Sequence, residues 1–144
     1  MKNLLKSIIF VFMATSLYAV DGAKMTVYKS PYCGCCTKWV DIMKEKGFDV
    51  NVQMVNDVSL VNKKLQIDPK LSSCHTAIVD NYVVVGHVDY SAVKKMLDEK
   101  PDIKGITVPG MPIGSPGMEQ GNMKQSYNVL YINGDNSTGI FEKH

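Results

Sequence analysis

Three cysteines lie within four residues, at 33–36 (CGCC), and this cluster constrains the fold more than any other part of the sequence. Residues 24–29 before it alternate between polar and apolar side chains, as a short strand does, whereas residues 37–46 after it follow a helical period. The cysteines are therefore predicted at a strand-to-helix junction. The unpaired N–H groups and the dipole at a helix N-terminus favour the thiolate, which is both the nucleophilic and the metal-ligating form of cysteine, so a low pKa is expected there.

The remaining pattern predicts a thioredoxin-like α/β fold. Residues 48–55 alternate as a second strand, and residues 56–66 read as a short helix with Leu60, Val61 and Leu65 facing inward. Apolar runs at 76–79 and 82–87 form a hairpin, and Asp89 can cap the helix that follows. We therefore expect a central mixed sheet flanked by helices.

The C-terminal part has a different composition. Residues 108–118 contain Pro, Gly and Met without helical or strand period, which predicts a loop. Residues 127–132 and 138–141, around Asn133-Gly134, predict an added terminal hairpin that extends the sheet and holds the Met/Pro/Gly loop over the domain.

The N-terminus has the pattern of an export signal. Lys2 and Lys6 precede an uncharged, mostly apolar run at residues 7–20, which is too short for a comfortable membrane span. We expect a signal peptide at residues 1–19 with cleavage after Ala19, and a single domain at residues 20–144 located in the periplasm. A retained anchor is the alternative, because Leu17 is larger than the residue preferred three positions before the cleaved bond.

Charge excludes some partners. All 16 basic residues are lysines, and without Lys2 and Lys6 the chain has 14 of them against 14 acidic residues. A neutral domain without arginine is not expected to bind nucleic acid, nor to hold oxyanions in a bidentate fashion.

Cys33 and Cys36 have the C-x-x-C spacing, which suits a redox disulfide or metal chelation; an inert structural disulfide is the alternative. Cys35 helps to distinguish these functions. A dithiol enzyme, with Cys33 as nucleophile and Cys36 as resolving thiol, has no use for a third thiol between them, whereas a multi-metal site gains a bridging ligand.

Further soft ligands lie elsewhere in the chain. Cys74 and His75 precede the third predicted strand, His87 ends the fourth, and Met111 and Met118 lie in the Pro/Gly loop. Each histidine also fits a structural role, and each methionine fits packing. Thiolate, imidazole and thioether together are the ligand set of Cu(I), so copper is the expected metal. Zinc is the main alternative.

The segments YCGCCTKWV (32–40), SCHTA (73–77), GHV (86–88) and VPGMPIGSPGME (108–119) resemble the periplasmic copper-resistance family named CopG. The resemblance implies a thioredoxin-like fold with a cysteine-bridged copper cluster. It also implies a role in copper tolerance beside efflux components, with interconversion of Cu(I) and Cu(II) as one way of acting. The implied metal ligands are Cys33, Cys35, Cys36, Cys74, His75, His87, Met111 and Met118.

Two other functions remain open from the sequence. A thiol-disulfide oxidoreductase would use Cys33 and Cys36 as its catalytic pair. A passive copper chaperone or storage protein would bind the same copper without changing its oxidation state.

Overall fold

The computed structural model describes residues 20–144 of the chain. The predicted signal peptide, residues 1–19, lies outside the described residues. The α-helices and strands follow one another as β1 (Lys24–Lys29), α1 (Gly34–Glu45), β2 (Asp49–Met54), α2 (Val58–Lys64), β3 (His75–Val79), β4 (Tyr82–Val85), α3 (Tyr90–Glu99), β5 (Gly105–Thr107), β6 (Asn128–Ile132) and β7 (Thr138–Lys143).

The strands form one mixed sheet in the order β2-β1-β3-β4-β5-β6-β7. β1 pairs in parallel with β2, and β4 pairs in parallel with β5, while the other neighbours are antiparallel. Lys29 at the end of β1 lies opposite His75 at the start of β3. The end of β1, the start of β3 and the N-terminus of α1 therefore meet at one end of the sheet, where the CGCC turn lies.

Alternating side chains give the sheet two packed faces. On one face, Met25, Val27 and Ala77 pack in the same cluster as the buried sides of α1 and α3. On the other face, Val83 and Val85 pack against the segment that follows α2. Helices thus flank the sheet on both sides, which confirms the predicted thioredoxin-like α/β architecture.

Helix α1 begins three residues earlier than the apolar period indicates, at Gly34 rather than at residue 37. Cys33 is its N-cap, and Cys36 lies in its first turn. Of the turn residues only Cys36 belongs to the apolar period of Trp39 and Met43, so the period does not show that the helix already includes Gly34 and Cys35. Trp39 and Met43 are buried, as the helical spacing predicts.

Helix α2 faces the sheet with a polar residue. The prediction that Leu60 packs inward is wrong, because 59% of Leu60 is exposed, whereas Asn62 is buried. The side chain of Asn62 accepts a hydrogen bond from Thr76 of β3 and donates one to Ser72. These bonds, rather than apolar burial, fix the side of α2 that faces the sheet.

Strand β5 joins the predicted terminal hairpin, which β6 and β7 confirm, to the rest of the sheet. The sequence pattern did not reveal β5, because three residues that begin with glycine are too few to show alternation. A Cβ atom on Gly105 would lie 1.9 Å from the carbonyl oxygen of Val83, so this strand position requires glycine. Within residues 20–144 no helix combines the length and apolar character that a membrane span needs.

Candidate metal centre

Hydrogen bonds at the start of α1 fix the CGCC turn. The N–H of Cys33 donates to the carbonyl oxygen of Ser30 (3.2 Å), and the N–H of Thr37 donates to the carbonyl oxygen of Cys33 (3.2 Å). The Sγ of Cys33 accepts the N–H of Cys36 (3.3 Å). Cys36 is buried, whereas Cys33 and Cys35 are partly exposed. The turn therefore presents two of its sulfurs at the surface and one toward the core.

Cys33 and Cys36 are joined by a disulfide bond, while Cys35 and Cys74 are free thiols. The Sγ of Cys35 lies 3.4 Å from that of Cys33. A disulfide has no acidic proton and offers no thiolate, so the low pKa expected for the CGCC sulfurs concerns the reduced pair only. Two electrons and two protons convert this disulfide into two thiols.

Cys74 lies in a bend immediately before β3 and reaches the CGCC turn from 38 residues away, with its carbonyl oxygen 3.6 Å from the Sγ of Cys36. The sulfur atoms of Cys33, Cys35, Cys36 and Cys74 all lie within 4.8 Å of one another. Two distant segments thus supply sulfur to one place, which is the geometry that a shared metal centre needs.

Two buried histidines, His75 and His87, lie beside Cys74. The Nε2 atom of His87 is 3.0 Å from the Sγ of Cys74, and the Nδ1 atom of His75 is 3.6 Å from the same sulfur. The two rings are 4.9 Å apart between centroids, and Trp39 packs on His75 at 4.5 Å. Successive strand residues normally point to opposite faces, but the bend at Cys74 lets both neighbouring side chains reach this site.

His87 is held in a metal-binding tautomer. Its Nδ1 atom lies 2.8 Å from the carbonyl oxygen of Pro116. A carbonyl only accepts hydrogen bonds, so Nδ1 carries the proton and Nε2 turns its lone pair toward Cys74. Ligating histidines in proteins are commonly oriented by such a bond from the other ring nitrogen.

His75 has no hydrogen-bond partner at Nε2 within the described part of the chain. Burial, with smaller contributions that include His87 and Lys29, lowers the pKa of His75 to about 3. Burial also lowers the pKa of His87. Both imidazoles are therefore neutral at neutral pH, which is the form that binds metal ions.

The Cys74 thiol is a weak acid in the metal-free protein. Burial, and then the neighbouring Cys35, raises its pKa to about 11. Cys74 does not lie at a helix N-terminus, so it lacks the stabilisation expected for the CGCC sulfurs. A metal ion that binds Cys74 at neutral pH must displace its proton.

The Met/Pro/Gly loop contacts this site through its backbone. The carbonyl oxygen of Gly110 accepts a hydrogen bond from the hydroxyl of Ser73 (2.6 Å), beside Cys74. Gly117 packs so closely on α1 that an added Cβ would lie 2.7 Å from the carbonyl oxygen of Cys35. Gly110 and Gly117, the residues next to Met111 and Met118, are thus held beside the cysteines. Met111 is 52% exposed and Met118 is partly buried. That these two methionines bind the metal stays a prediction.

The sequence interpretation missed Lys29, which is 2% exposed. The signal was present, because Lys29 continues the alternation of Met25 and Val27 and therefore belongs to the inner face of β1. Pro116 was also missed, since its contribution is a backbone carbonyl that no residue pattern reveals.

The fold and the site together define a class of protein: a small thioredoxin-like domain whose C-x-x-C motif is extended to four converging cysteines with two adjacent imidazoles. A family model described as "Protein of unknown function, DUF411" matches residues 71–118. No curated protein matches the chain.

Two solved structures are similar over nearly their whole length. "Copper resistance protein copG- Form 1" is 33% identical, has a TM-score of 0.80, and aligns with 86% of this chain and 98% of that one. "Copper resistance protein copG- Form 2" is 33% identical with a TM-score of 0.81, covering 86% of this chain and 99% of that one. The chain belongs to the CopG family, as its sequence motifs predict.

Proposed function

We propose that this protein binds copper in the periplasm and acts in copper resistance. The single observation that carries the proposal is the convergence of four cysteine sulfurs within 4.8 Å of one another. The two similar structures are of copper resistance proteins, which favours copper over zinc. A structural zinc site also leaves no surplus donors, whereas this site has more soft donors than one zinc ion uses.

Cu(I) is the ion that the reduced site fits best. Thiolates from Cys33, Cys35, Cys36 and Cys74 would bridge several Cu(I) ions, and sharing each sulfur between metals spreads its negative charge. The Nε2 atom of His87 faces Cys74 at 3.0 Å, so an imidazole ligand would complete the inner side of the cluster. His75, Met111 and Met118 are proposed as further ligands.

Interconversion of Cu(I) and Cu(II) is the proposed redox role. Oxidation of the Cys33 and Cys36 thiolates to their disulfide releases two electrons, which reduce two Cu(II) ions to two Cu(I) ions. The disulfide between Cys33 and Cys36 is the form of the pair that this step would leave. Imidazole suits Cu(II) and thiolate suits Cu(I), so the mixed ligand set supports both oxidation states.

The first test is an anaerobic Cu(I) titration of the reduced protein at residues 20–144, in competition with a chromophoric chelator. We expect several tightly bound ions, and fewer ions in Cys35→Ser and Cys74→Ser because each variant removes a bridging sulfur. His87→Gln is expected to weaken binding, and His144→Gln is its control, since His144 bonds to Glu142 instead. One weakly held ion in the unchanged protein would contradict the cluster.

The second test measures the valence change. Reduced protein is mixed anaerobically with Cu(II), the loss of the paramagnetic signal is followed, and the protein thiols are counted. We expect two Cu(II) ions to disappear for each disulfide formed, and no such stoichiometric disulfide formation in Cys36→Ser. Copper that binds without any valence change would instead indicate a passive chaperone or storage protein.

A thiol-disulfide oxidoreductase is the second candidate, because the Cys33–Cys36 disulfide lies at a helix N-terminus as a catalytic pair would. The double variant Cys35→Ser, Cys74→Ser separates the two functions. It keeps the C-x-x-C pair but loses the bridging sulfurs, so insulin-disulfide reduction at the unchanged rate would favour the enzyme. The copper function predicts that copper binding falls in this variant.

Export and domain organisation complete the proposal. We propose cleavage after Ala19, a single domain at residues 20–144, and action beside periplasmic efflux components. The intact mass of the protein released from the periplasm tests the cleavage, since the expected chain begins at Val20. A protein that stays in the membrane fraction at full length would indicate a retained anchor.

A further inference from the structure

Lys29 is a buried cation at the end of β1, the strand that leads into the CGCC turn. Its exposed fraction is 2%, and no carboxylate among residues 20–144 lies within ion-pair distance of it. Its Nζ atom donates to the carbonyl oxygen of Ser30 (3.0 Å) and lies 3.9 Å from the sulfur of Met54. A thioether is a weak acceptor, so the ammonium has one strong hydrogen-bond acceptor for its three N–H groups. Burial of such a charge is unfavourable unless a negative charge lies nearby.

The position of Lys29 connects it to the metal centre in two ways. The carbonyl oxygen of Ser30 that accepts its hydrogen bond also accepts the N–H of Cys33. Lys29 also lies directly opposite His75, on the face of the sheet where α1 packs, and its charge contributes to lowering the pKa of His75. The ammonium therefore binds the same carbonyl oxygen as the first residue of the CGCC turn, and its positive charge acts on the imidazole of His75.

We propose that Lys29 is a positioning and charge-compensating residue for the reduced cysteine cluster. In the disulfide state the bonded sulfurs are neutral, and the part of the chain that the structure describes pairs no carboxylate with the ammonium. Reduction and metal binding create thiolates, which supply the missing negative charge. The part of this inference that concerns copper rests on the proposed function, whereas the part that concerns the disulfide does not.

A fixed positive charge stabilises whichever state of the neighbouring site is more negative. For the C-x-x-C pair this is the reduced state with its thiolate, so Lys29 favours the dithiol over the disulfide. For bound copper the more negative state is the one with Cu(I), because Cu(I) carries one positive charge fewer per ion than Cu(II). Loss of the charge should shift both equilibria in the opposite direction.

The first measurement is the equilibrium of the disulfide with glutathione, in which one protein disulfide and two glutathione thiols give one protein dithiol and one glutathione disulfide. In Lys29→Met we expect the equilibrium constant to fall about tenfold, which is about 30 mV toward more negative potential. Lys29→Arg keeps the charge and should stay close to the unchanged protein. Lys24→Met is the matched control, because Lys24 lies on the same strand and is exposed.

The second measurement separates charge compensation from a structural role. We expect Lys29→Met to bind Cu(I) about tenfold more weakly, while the disulfide form resists urea as well as the unchanged protein or better, because an apolar side chain replaces an uncompensated buried charge. A residue that acts only through packing would lower stability and affinity together.

Three results would overturn the inference: an unchanged glutathione equilibrium in Lys29→Met, a shift in Lys29→Arg as large as in Lys29→Met, or an equal shift in Lys24→Met. If the unchanged protein binds no Cu(I) but the glutathione equilibrium shifts as expected, the proposed copper function fails and the role of Lys29 toward the thiolates stands.

Discussion

Gly117 is the residue through which the Met/Pro/Gly loop docks on the CGCC helix, and its substitution gives the sharpest test of this contact. Its φ angle is +85°, and an added Cβ would lie 2.7 Å from the carbonyl oxygen of Cys35 and 3.1 Å from the backbone N of Trp39. Both neighbours are backbone atoms of α1 and cannot rotate away. Gly117→Ala should therefore move the loop rather than be absorbed.

The chain offers a matched control in Gly110, which has φ +72° but has no atom within 4 Å of an added Cβ. Both alanine variants carry the strain of a left-handed backbone, about 1–2 kcal/mol. Only Gly117→Ala adds the clash, and the displaced loop withdraws the Pro116 carbonyl from the buried Nδ1–H of His87. An unsatisfied buried donor costs about 1–3 kcal/mol, so Gly117→Ala should be less stable than Gly110→Ala by about that amount.

Urea unfolding of the metal-free disulfide form, followed by the fluorescence of the single tryptophan, Trp39, measures this difference. The slopes against denaturant should agree between the two variants, and the midpoints should differ. Cu(I) affinity should also fall in Gly117→Ala, because His87 loses the bond that fixes its tautomer. Equal midpoints for the two variants would refute the docking contact as described.

Three further predictions concern the same region. Burial lowers the pKa of His75 to about 3 in the folded protein, whereas its ordinary value is 6.5. Between these two pH values the unfolded chain binds a proton at His75 that the folded chain does not bind. Stability of the metal-free protein should therefore fall as pH drops from about 6.5 toward 3, by up to about 1.4 kcal/mol per pH unit, and His75→Gln should flatten that slope in acid unfolding. Trp39→Phe removes the N–H that donates to the buried carbonyl of Val88 (2.8 Å). It should lower the free energy of urea unfolding by about 2–4 kcal/mol, measured by circular dichroism because this variant has no tryptophan. Cu(I) that binds Cys74 must displace its proton, so the logarithm of the Cu(I) affinity should rise with pH. Between pH 6 and 8 this slope should be about one unit per pH unit steeper in the unchanged protein than in Cys74→Ser. Equal slopes in the two proteins would contradict the raised pKa of Cys74.

The sequence predicts most of this fold because the elements that hold it follow a clear period. The alternation in β1 and the helical spacing of Trp39 and Met43 are both reproduced, and Asp89 caps α3 as expected, accepting the N–H of Ser91 (2.8 Å). The sequence pattern does not predict strand β5, because three residues are too few to show an alternation. The helical spacing of apolar residues predicts that Leu60 faces inward, but hydrogen bonds of Asn62 decide which side of α2 faces the sheet.

The candidate site was predictable in its residue types and not in its geometry. Clustered thiols indicate soft-metal or redox chemistry in any fold, so Cys35 could be selected from its spacing. Cys74 could be selected from its position just before the third predicted strand. Which atoms meet depends on tertiary structure: the bend at Cys74 that turns its side chain toward the site has no sequence signal, and neither has the carbonyl of Pro116 that selects the tautomer of His87. The alternation places Lys29 on the inner face of β1, but its role can be interpreted only from the structure, which shows no carboxylate paired with it among residues 20–144.

The disulfide and the proposed metal site share the sulfurs of Cys33 and Cys36, so the two equilibria should be linked. With Cys33 and Cys36 bonded, two free thiols, those of Cys35 and Cys74, lie beside the two imidazoles. After reduction the same place holds four cysteine sulfurs that can act as ligands. Copper that binds only the reduced form stabilises it by mass action, by about 2.7 kcal/mol when free copper is at 100 times its dissociation constant. This corresponds to about 60 mV in the potential of a two-electron couple. The reduction potential of the Cys33–Cys36 disulfide should therefore rise with the concentration of free Cu(I). In such a centre the fraction of protein in the disulfide form would depend on the copper concentration, without any partner protein.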